Sequence, residues 1–221
     1  MDKQKHDIGQ SLSGVDMSLK RWRHVPTTII SDMRQRTGVL DPAIRLLTRQ
    51  EGPVAMVGRA VTASCQAPDF GAVVHAVDKA GPGDVLVIAA GGDGDTAMIG
   101  DVLCSYLEQK EAAGVVVDGM VRDIGDLRQK TQLPVWARGI TPNGPMSKEG
   151  GQVNVAVDVA GVTIHPGDLI VGDDDGVAVL RPAEEMLLID EMEAALARET
   201  EWRQRLSAGE SLASVLGIES R

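Results

Sequence analysis

Two unbroken apolar runs mark the middle of the chain. They are Val85-Leu86-Val87-Ile88-Ala89-Ala90, launched by a Pro82-Gly83 turn, and Val115-Val116-Val117. Runs that are apolar at every position suit inner strands of an α/β sheet, covered on both faces. Between them lie Gly91, Gly92 and Gly94, and then a segment with helical spacing. Val102, Leu103, Tyr106 and Leu107 stand at i, i+1, i+4 and i+5, which predicts one apolar helix face starting near Asp101 and stopped by Gly114. After the second run, Asp118-Gly119 predicts a turn from which Arg122 and Asp123 project.

The rest of the chain reads in the same way. Residues 1–20 are polar and irregular and read as a mobile arm. Trp22 to Thr37 holds a helix start, with Thr27 suited to its N-cap. Val39 to Leu47 is a connector or short helix, Met56 to Cys65 a strand, and Ala72 to Ala80 a helix ended by Gly81. Ile124 to Thr131 is helical, Leu133 to Ala137 is a short strand, and Gly139 to Gly151 is a surface loop. From Val153 to Leu180 the pattern is all β, beginning with strict alternation at Val153, Val155, Val157 and Val159. Pro182 then opens a long charged helix to Leu206, whose narrow stripe is Met186, Ile189, Met192 and Leu196.

Composition narrows the function. With 221 residues there is room for one sizeable domain with extensions, and five aromatics in all leave the core to aliphatic residues and Met. A net charge of −10 disfavours nucleic acid and anionic membranes as partners. No apolar run is long enough to span a bilayer, and the first residues lack a signal-peptide core. Two cysteines, Cys65 and Cys104, make no disulfide framework, so a reduced, cytoplasmic protein is expected.

The helix start at Asp101 and the strand end before Arg122-Asp123 fall at the edge of an α/β sheet where ligands gather. Two carboxylates, one guanidinium and free helix N–H groups there would suit a divalent cation and a small anionic substrate. Each residue also has a plain structural role: Asp101 and Asp123 as helix caps, Arg122 as a surface pair. A rival chemistry uses the same stretch. Gly92-Asp93-Gly94-Asp95-Thr96-Ala97 fits Gly-x-Gly-x-x-Ala of a dinucleotide fingerprint, with Asp118 ending the next strand. Against it, Asp93, Asp95 and Asp101 would crowd a pyrophosphate, and the clear helix comes too late. Asp173-Asp174-Asp175-Gly176 could bind a cation, but Asp-Gly between apolar strands is foremost a hairpin signal.

Asp101, twenty intervening residues and Arg122-Asp123, set between buried strands, resemble the Asp-x20-Arg-Asp signature of class II pyruvate aldolases. The type is that of 4-hydroxy-4-methyl-2-oxoglutarate and 4-carboxy-4-hydroxy-2-oxoadipate aldolase, whose fold family also holds the ribonuclease E regulator (RraA-like) proteins. The likeness runs from about Pro26 to Pro182 and includes Val115 to Gly119 and Gly172 to Val177. It implies an α/β fold, an αββα sandwich of the swivelling phosphohistidine-domain type over residues 21–182. A C-terminal helix over 183–221 would lie between subunits of a homotrimer or homohexamer.

The implied activity is divalent-metal-dependent cleavage of a carboxylated 4-hydroxy-2-oxo acid to pyruvate and a second oxo acid. Oxaloacetate decarboxylation is implied as well, because it passes through the same enolate. In that scheme Asp123 holds Mg²⁺ or Mn²⁺ and Arg122 neutralises the enolate oxygen. Backbone groups at Gly100, Val102 and Leu103 hold the pyruvyl carboxylate, and Asp101 orients water for proton transfer. Glu199, with Glu201 as the alternative, would come from a neighbouring subunit. His75 would stand near the site, although a lone helical His is more often a surface or satisfied core residue. The family's Gly-Asp-Asn before the His75 helix is replaced here by Pro68-Asp69-Phe70, a departure at the distal substrate contacts. The rival function in the fold family is non-enzymatic regulation of a ribonuclease or helicase. Regulators typically lack the first aspartate of the signature, which this chain keeps as Asp101.

Overall fold

The computed structural model describes residues 19–48, 53 and 55–218. The arm read from residues 1–20 lies, apart from its last two residues, outside the described residues. Nine strands make one mixed sheet: β1 (Arg45–Leu46), β2 (Met56–Ser64), β3 (Asp84–Ala89), β4 (Ala97–Ile99), β5 (Gly114–Val121), β6 (Val135–Ile140), β7 (Gln152–Val153), β10 (Leu169–Asp173) and β11 (Gly176–Leu180). A small hairpin, β8 (Val157–Val159) with β9 (Val162–Ile164), stands beside it. Helices α1 (Thr27–Met33), α2 (Gly71–Lys79), α3 (Asp101–Gln109), α4 (Ile124–Lys130), α5 (Pro182–Ser207) and α6 (Leu212–Val215) complete the chain.

The sheet's path is β1-β6-β5-β3-β2-β10-β11, with β6, β5, β3 and β2 parallel and the outer strands antiparallel. The segment between α1 and β1 ties the two edges together. Leu40 N–H donates to Val177 O of β11 at 3.0 Å, and a few residues later Arg45 and Leu46 pair with β6. The sheet therefore curls into a nearly closed barrel.

Side-chain alternation then makes the layers. Leu86 and Ile88 of β3 face outward, against Ala76, Cys104, Leu107 and Leu127 of α2, α3 and α4. Val85, Val87 and Ala89 face inward, against Trp136, Ile170 and Val177 across the barrel. A third apolar layer joins Val57, Leu169 and Val171 to α1 and α5 through Ile30, Ile189, Met192 and Ala195. Helix, sheet, sheet, helix is the expected αββα sandwich, with a C-terminal helix.

Several local expectations need correcting. Val39 to Leu47 contains the short strand β1, made possible by the open edge of β6. Asp118-Gly119 is not a turn: β5 runs through it to Val121, with an irregularity between Val117 and Met120. Gly114 does not cap α3. It opens β5, where a Cβ would run into Met56, and the left-handed residue after the helix is Glu111 at φ 60°. The α3 face buries Cys104 and Leu107 while Val102 is 74% exposed. The alternating valines break at Asn154, φ 56°, into β7 and β8. Met186 faces solvent, and Ala195 takes its place in the α5 stripe.

Thr27 is the first residue of α1 rather than its cap. Its N–H and hydroxyl donate to the Asp173 carboxylate at 2.8 and 2.6 Å, so that aspartate closes the helix start from the β10–β11 turn. The same carboxylate accepts the Asp175 and Gly176 N–H groups, so the acidic triplet is a hairpin turn. Cys65 and Cys104 are both free thiols. No helix among the described residues is long and apolar enough to cross a membrane.

Candidate active site

One strand absent from the sequence reading brings the site together. β4 lies parallel beside the last residues of β5, pairing Ala97 with Met120 and Ile99 with Val121. Arg122 N–H extends the ladder to Ile99 O at 3.1 Å. The two strands thus end side by side, delivering Gly100-Asp101 from one and Arg122-Asp123 from the other.

Gly100 is the N-cap of α3 and Asp101 its first residue. Cys104 N–H makes the first helical bond, to Gly100 O at 3.1 Å. The Val102 and Leu103 N–H groups come before it and meet no protein acceptor among the described residues, as helix starts generally leave them. Asp123 is the N-cap of α4 in the left-handed region, φ 58°, yet it makes no side-chain cap. Its Oδ2 instead accepts the Asp101 N–H at 3.3 Å and lies 3.5 Å from Arg122 Nε.

Two glycines make room for this cluster. A Cβ on Gly100 would press on Asp123 Oδ2 and Arg122 Cγ, and one on Gly144 would overlap Arg122 Nη1. Gly144 belongs to the loop after β6. That loop is pinned at one end by Thr141 N–H to Val121 O, 3.0 Å, and by Ala97 N–H to Asn143 O, 2.9 Å. At its other end the Asp69 carboxylate gathers the Ser147 hydroxyl and the Gly71, Glu149 and Gly150 N–H groups. The result is a cleft of about 270 Å³ lined by Asp101, Arg122 and Asp123 together with Phe70, Leu103 and Pro145.

The cleft is negative before anything binds, with two carboxylates to one guanidinium. Cys104, buried just beneath, registers this. Its thiol is pushed up to about 12, first by burial and then by the charges of Asp101 and Asp123. The Asp69 carboxyl lies well below the usual carboxylate range because the Ser147 hydroxyl and three backbone N–H groups hold its anion. Arg122 and Asp123 keep 44% and 37% of their side-chain surface, so solutes can reach them.

No group of three or more His, Cys, Asp or Glu able to hold a metal occurs among the described residues. The donors in the cleft are hard carboxylate oxygens without nitrogen or sulfur. That set fits a hard cation such as Mg²⁺, which keeps several waters and takes few protein ligands.

The structure brings Gly100, Asp101, Val102, Leu103, Arg122 and Asp123 to this one cleft. It does not bring Glu199 or His75 to it within the chain. Glu199 pairs with Arg203 on α5 at 2.7 Å, and His75 is exposed on α2 outside the lining. The dinucleotide fingerprint fails, because Gly92 to Ala97 leads into β4 instead of a helix. The Asp93 carboxylate is used locally, accepting Thr96 N–H at 2.7 Å. Asp118 is buried inside β5, paired with Arg138 and accepting Ala160 N–H at 3.0 Å. Sequence reasoning missed Gly144 and Pro145, which sit in a loop whose pattern carries no signal beyond glycine and proline. Phe70 was visible only as a departure from a motif.

A curled αββα sandwich with a carboxylate–guanidinium cleft at its parallel strand ends defines the class of protein. The chain belongs to the RraA-like family, described as Aldolase/RraA, which it matches over residues 26–179. A relative from Halalkalibacterium halodurans, named "Putative 4-hydroxy-4-methyl-2-oxoglutarate aldolase", is 38% identical over 76% of this chain and 78% of its own. A crystal structure of an uncharacterized Pseudomonas syringae protein superposes with a TM-score of 0.78 at 25% identity, covering 90% of this chain and 96% of the other. The structure named as the RNA-processing inhibitor RraA from Thermus thermophilus gives 0.63 at 30% identity, covering 71% and 93%.

Proposed function

We propose that this chain is a divalent-metal-dependent aldolase. It cleaves a 4-hydroxy-2-oxo acid to pyruvate and a second oxo compound, and decarboxylates oxaloacetate at the same site. The observation that carries this reading is the β4–β5 pairing, which sets Asp101, Arg122 and Asp123 against an open helix start. The aldolase name borne by the relative at 38% identity supports it.

The reaction balances without redox. The C3–C4 bond breaks, its electron pair becomes the pyruvate enolate, the C4 hydroxyl loses its proton, and C3 gains one. Val102 and Leu103 N–H groups bind the pyruvyl carboxylate at the positive end of α3. The Arg122 guanidinium faces the 2-oxo oxygen as it gains negative charge, a contact stronger in the transition state than with substrate. Asp101 orients the water that carries the proton from the C4 hydroxyl to C3. Asp123 would hold a Mg²⁺ or Mn²⁺ ion, which when bound supplies Lewis-acid polarisation of the 2-oxo group. A homotrimer or homohexamer, with Glu199 of α5 entering the cleft of a neighbour, and a cytoplasmic location belong to the same proposal.

Regulation of an RNA-processing enzyme is the second reading, favoured by the likeness to the protein named RNA-processing inhibitor. Asp101 weighs toward catalysis. Pyruvate release from a panel of 4-hydroxy-2-oxo acids and oxaloacetate, with and without EDTA, is the test. Release that EDTA abolishes supports the aldolase. No release from any panel member with Mg²⁺ or Mn²⁺ present overturns it.

A further inference from the structure

β5 changes neighbours just before it reaches the cleft. Its partner is β3 as far as Ala89 opposite Asp118, and β4 from Ala97 opposite Met120. On its other side Val117 pairs with Ala137 and Met120 with Gly139, so β5 spends three residues where β6 spends two. Such an extra residue bends its strand and re-aims the side chains that follow, and bulges of this kind gather next to active sites. The next residues after Met120 and Val121 are Arg122 and Asp123.

A buried ion pair sits at that extra residue. The Asp118 carboxylate, 6% exposed, accepts from Arg138 Nε of β6 at Oδ1 and from the Ala160 N–H of the β8–β9 turn at Oδ2, the latter at 3.0 Å. The Asp118 carbonyl accepts Gly92 N–H at 3.0 Å, from the loop that leads into β4. The guanidinium lies against that same loop, where a Cβ on Gly92 would stand 3.3 Å from Arg138 Nε. Asp118 and Arg138 therefore fasten β5, β6, the hairpin and the approach to β4 at one point. Both stand outside the lining of the cleft. A buried pair of this kind is weak support for stability, because apolar residues of similar volume often do as well, but it can fix a register.

We propose that Asp118 and Arg138 are positioning residues for the cleft. They hold the extra residue in β5 and, through it, the alignment of Arg122-Asp123 with Gly100-Asp101. The kinetic consequence rests on the aldolase reading above, whereas the alignment itself does not. Freed of the pair, β5 can match β6 residue for residue, which shifts everything beyond Asp118 against β4. Arg122 N–H then loses Ile99 O, now 3.1 Å away, and the Asp123 carboxylate loses the Asp101 N–H.

The experiment compares Arg138→Met, Arg138→Lys and the double replacement Asp118→Asn with Arg138→Met in the full chain, each assayed well below its melting temperature. Arg138→Met strands a buried carboxylate and should melt lower or fail to fold. The double replacement leaves no buried charge and keeps an acceptor for the Ala160 N–H, so it should regain most of that stability. Its kcat for pyruvate release should nevertheless stay down by about tenfold to a hundredfold with KM little changed, since a misplacement of about 1 Å can cost about 10²-fold. Arg138→Lys should keep an intermediate kcat. In the double variant, amide hydrogen exchange should quicken over residues 97–101 and 120–123 but not at the centre of β3. A kcat that returns together with the melting temperature overturns the inference and leaves the aldolase reading standing. So does exchange that is unchanged, or that quickens alike throughout the sheet. Should neither Met variant fold, the same two readouts on Arg138→Lys decide. If the unaltered chain releases no pyruvate from any substrate, the aldolase reading falls and the exchange pattern alone decides this inference.

Discussion

Asp123 reaches the start of a helix that is not its own, accepting the Asp101 N–H at Oδ2, 3.3 Å away. An aspartate at an N-cap ordinarily binds the N–H groups of the helix it begins. Here the left-handed backbone at φ 58° turns the side chain away from α4 and toward α3. Aspartate tolerates that conformation better than most residues, though it is still uncommon, and such positions concentrate at functional sites. The carboxylate joins the two helix starts and stands beside Arg122.

Asp123→Asn keeps an acceptor for the Asp101 N–H but removes the charge. We expect the protein to fold, to lose turnover, and to lose the rise in melting temperature that Mg²⁺ or Mn²⁺ gives the unaltered chain. Calorimetric melts with and without cation, run beside a pyruvate assay, check both. Full turnover in Asp123→Asn would remove this residue from the metal role.

Gly100 and Gly144 matter for space rather than for backbone freedom, since neither has a positive φ. Gly144→Ala should push the Arg122 guanidinium aside, and a misplacement of about 1 Å can cost about 10²-fold in rate. Gly100→Ala should displace Asp123 and Arg122 together and cost at least as much. Gly125→Ala, at the second residue of α4 with open space around it, is the control and should leave turnover unchanged. Equal rates in all three variants would show that the cradle does not constrain the charges.

The sequence made the strongest elements legible because burial on both faces leaves an unmistakable apolar run, as in Val85 to Ala90. It made the charged half of the cleft legible through Asp101 and Arg122-Asp123 at two element ends. It hid β4, because three residues after a glycine loop carry no period of their own and are strand only by pairing with β5. Gly114 misled, since close approach to Met56 and a helix stop ask for the same residue. The hairpin reading of Asp173 to Gly176 held because Asp-Gly chemistry is local. What lay beyond the sequence was long-range: which loop wraps the cleft, and that Asp173 closes α1 from across the fold.

Arg59 and Glu185 form a two-pronged pair at 2.7 and 2.8 Å that fixes α5 to β2, with Glu185 almost fully buried. Removing the cation alone strands a buried carboxylate, a loss on the scale of about 3–5 kcal/mol. Arg59→Met should therefore unfold at markedly lower urea, while the double replacement Arg59→Met with Glu185→Leu should recover most of the loss. Urea midpoints of the three proteins decide it. If the double variant is no better than the single, the cost comes from packing rather than from the unpaired charge.

Asp69 ties the loop after β6 to the start of α2, and its carboxyl lies well below the usual range. A depressed folded-state value means the stabilisation is fully present above the unfolded value, about 3.9, and is lost as pH falls through the folded one. Asp69→Asn should therefore be less stable than the unaltered protein at pH 7, with the gap closing only as pH falls below about 4. Hydrogen exchange at Phe70, Ala72 and Met146, whose N–H groups stitch the loop, should quicken in the variant at neutral pH. A gap that is constant with pH would mean that the charge of Asp69 is not what holds the loop.

Arg122 separates catalysis from anion binding. Its guanidinium lies within the cleft, seated against Gly144 and beside Asp123. If it meets the enolate oxygen, its contact strengthens as the C3–C4 bond breaks, and losing such a donor costs about 10²–10³ in kcat. Arg122→Ala should then lower kcat for aldol cleavage and for oxaloacetate decarboxylation by similar factors, because both reactions pass through the same enolate. Arg122→Lys should restore only part, since an ammonium lacks the planar two-pronged geometry. A residue that merely anchored substrate would raise KM and leave kcat intact. Steady-state kinetics of both variants on both substrates distinguish the two roles, and an unchanged kcat in Arg122→Ala would end the enolate assignment.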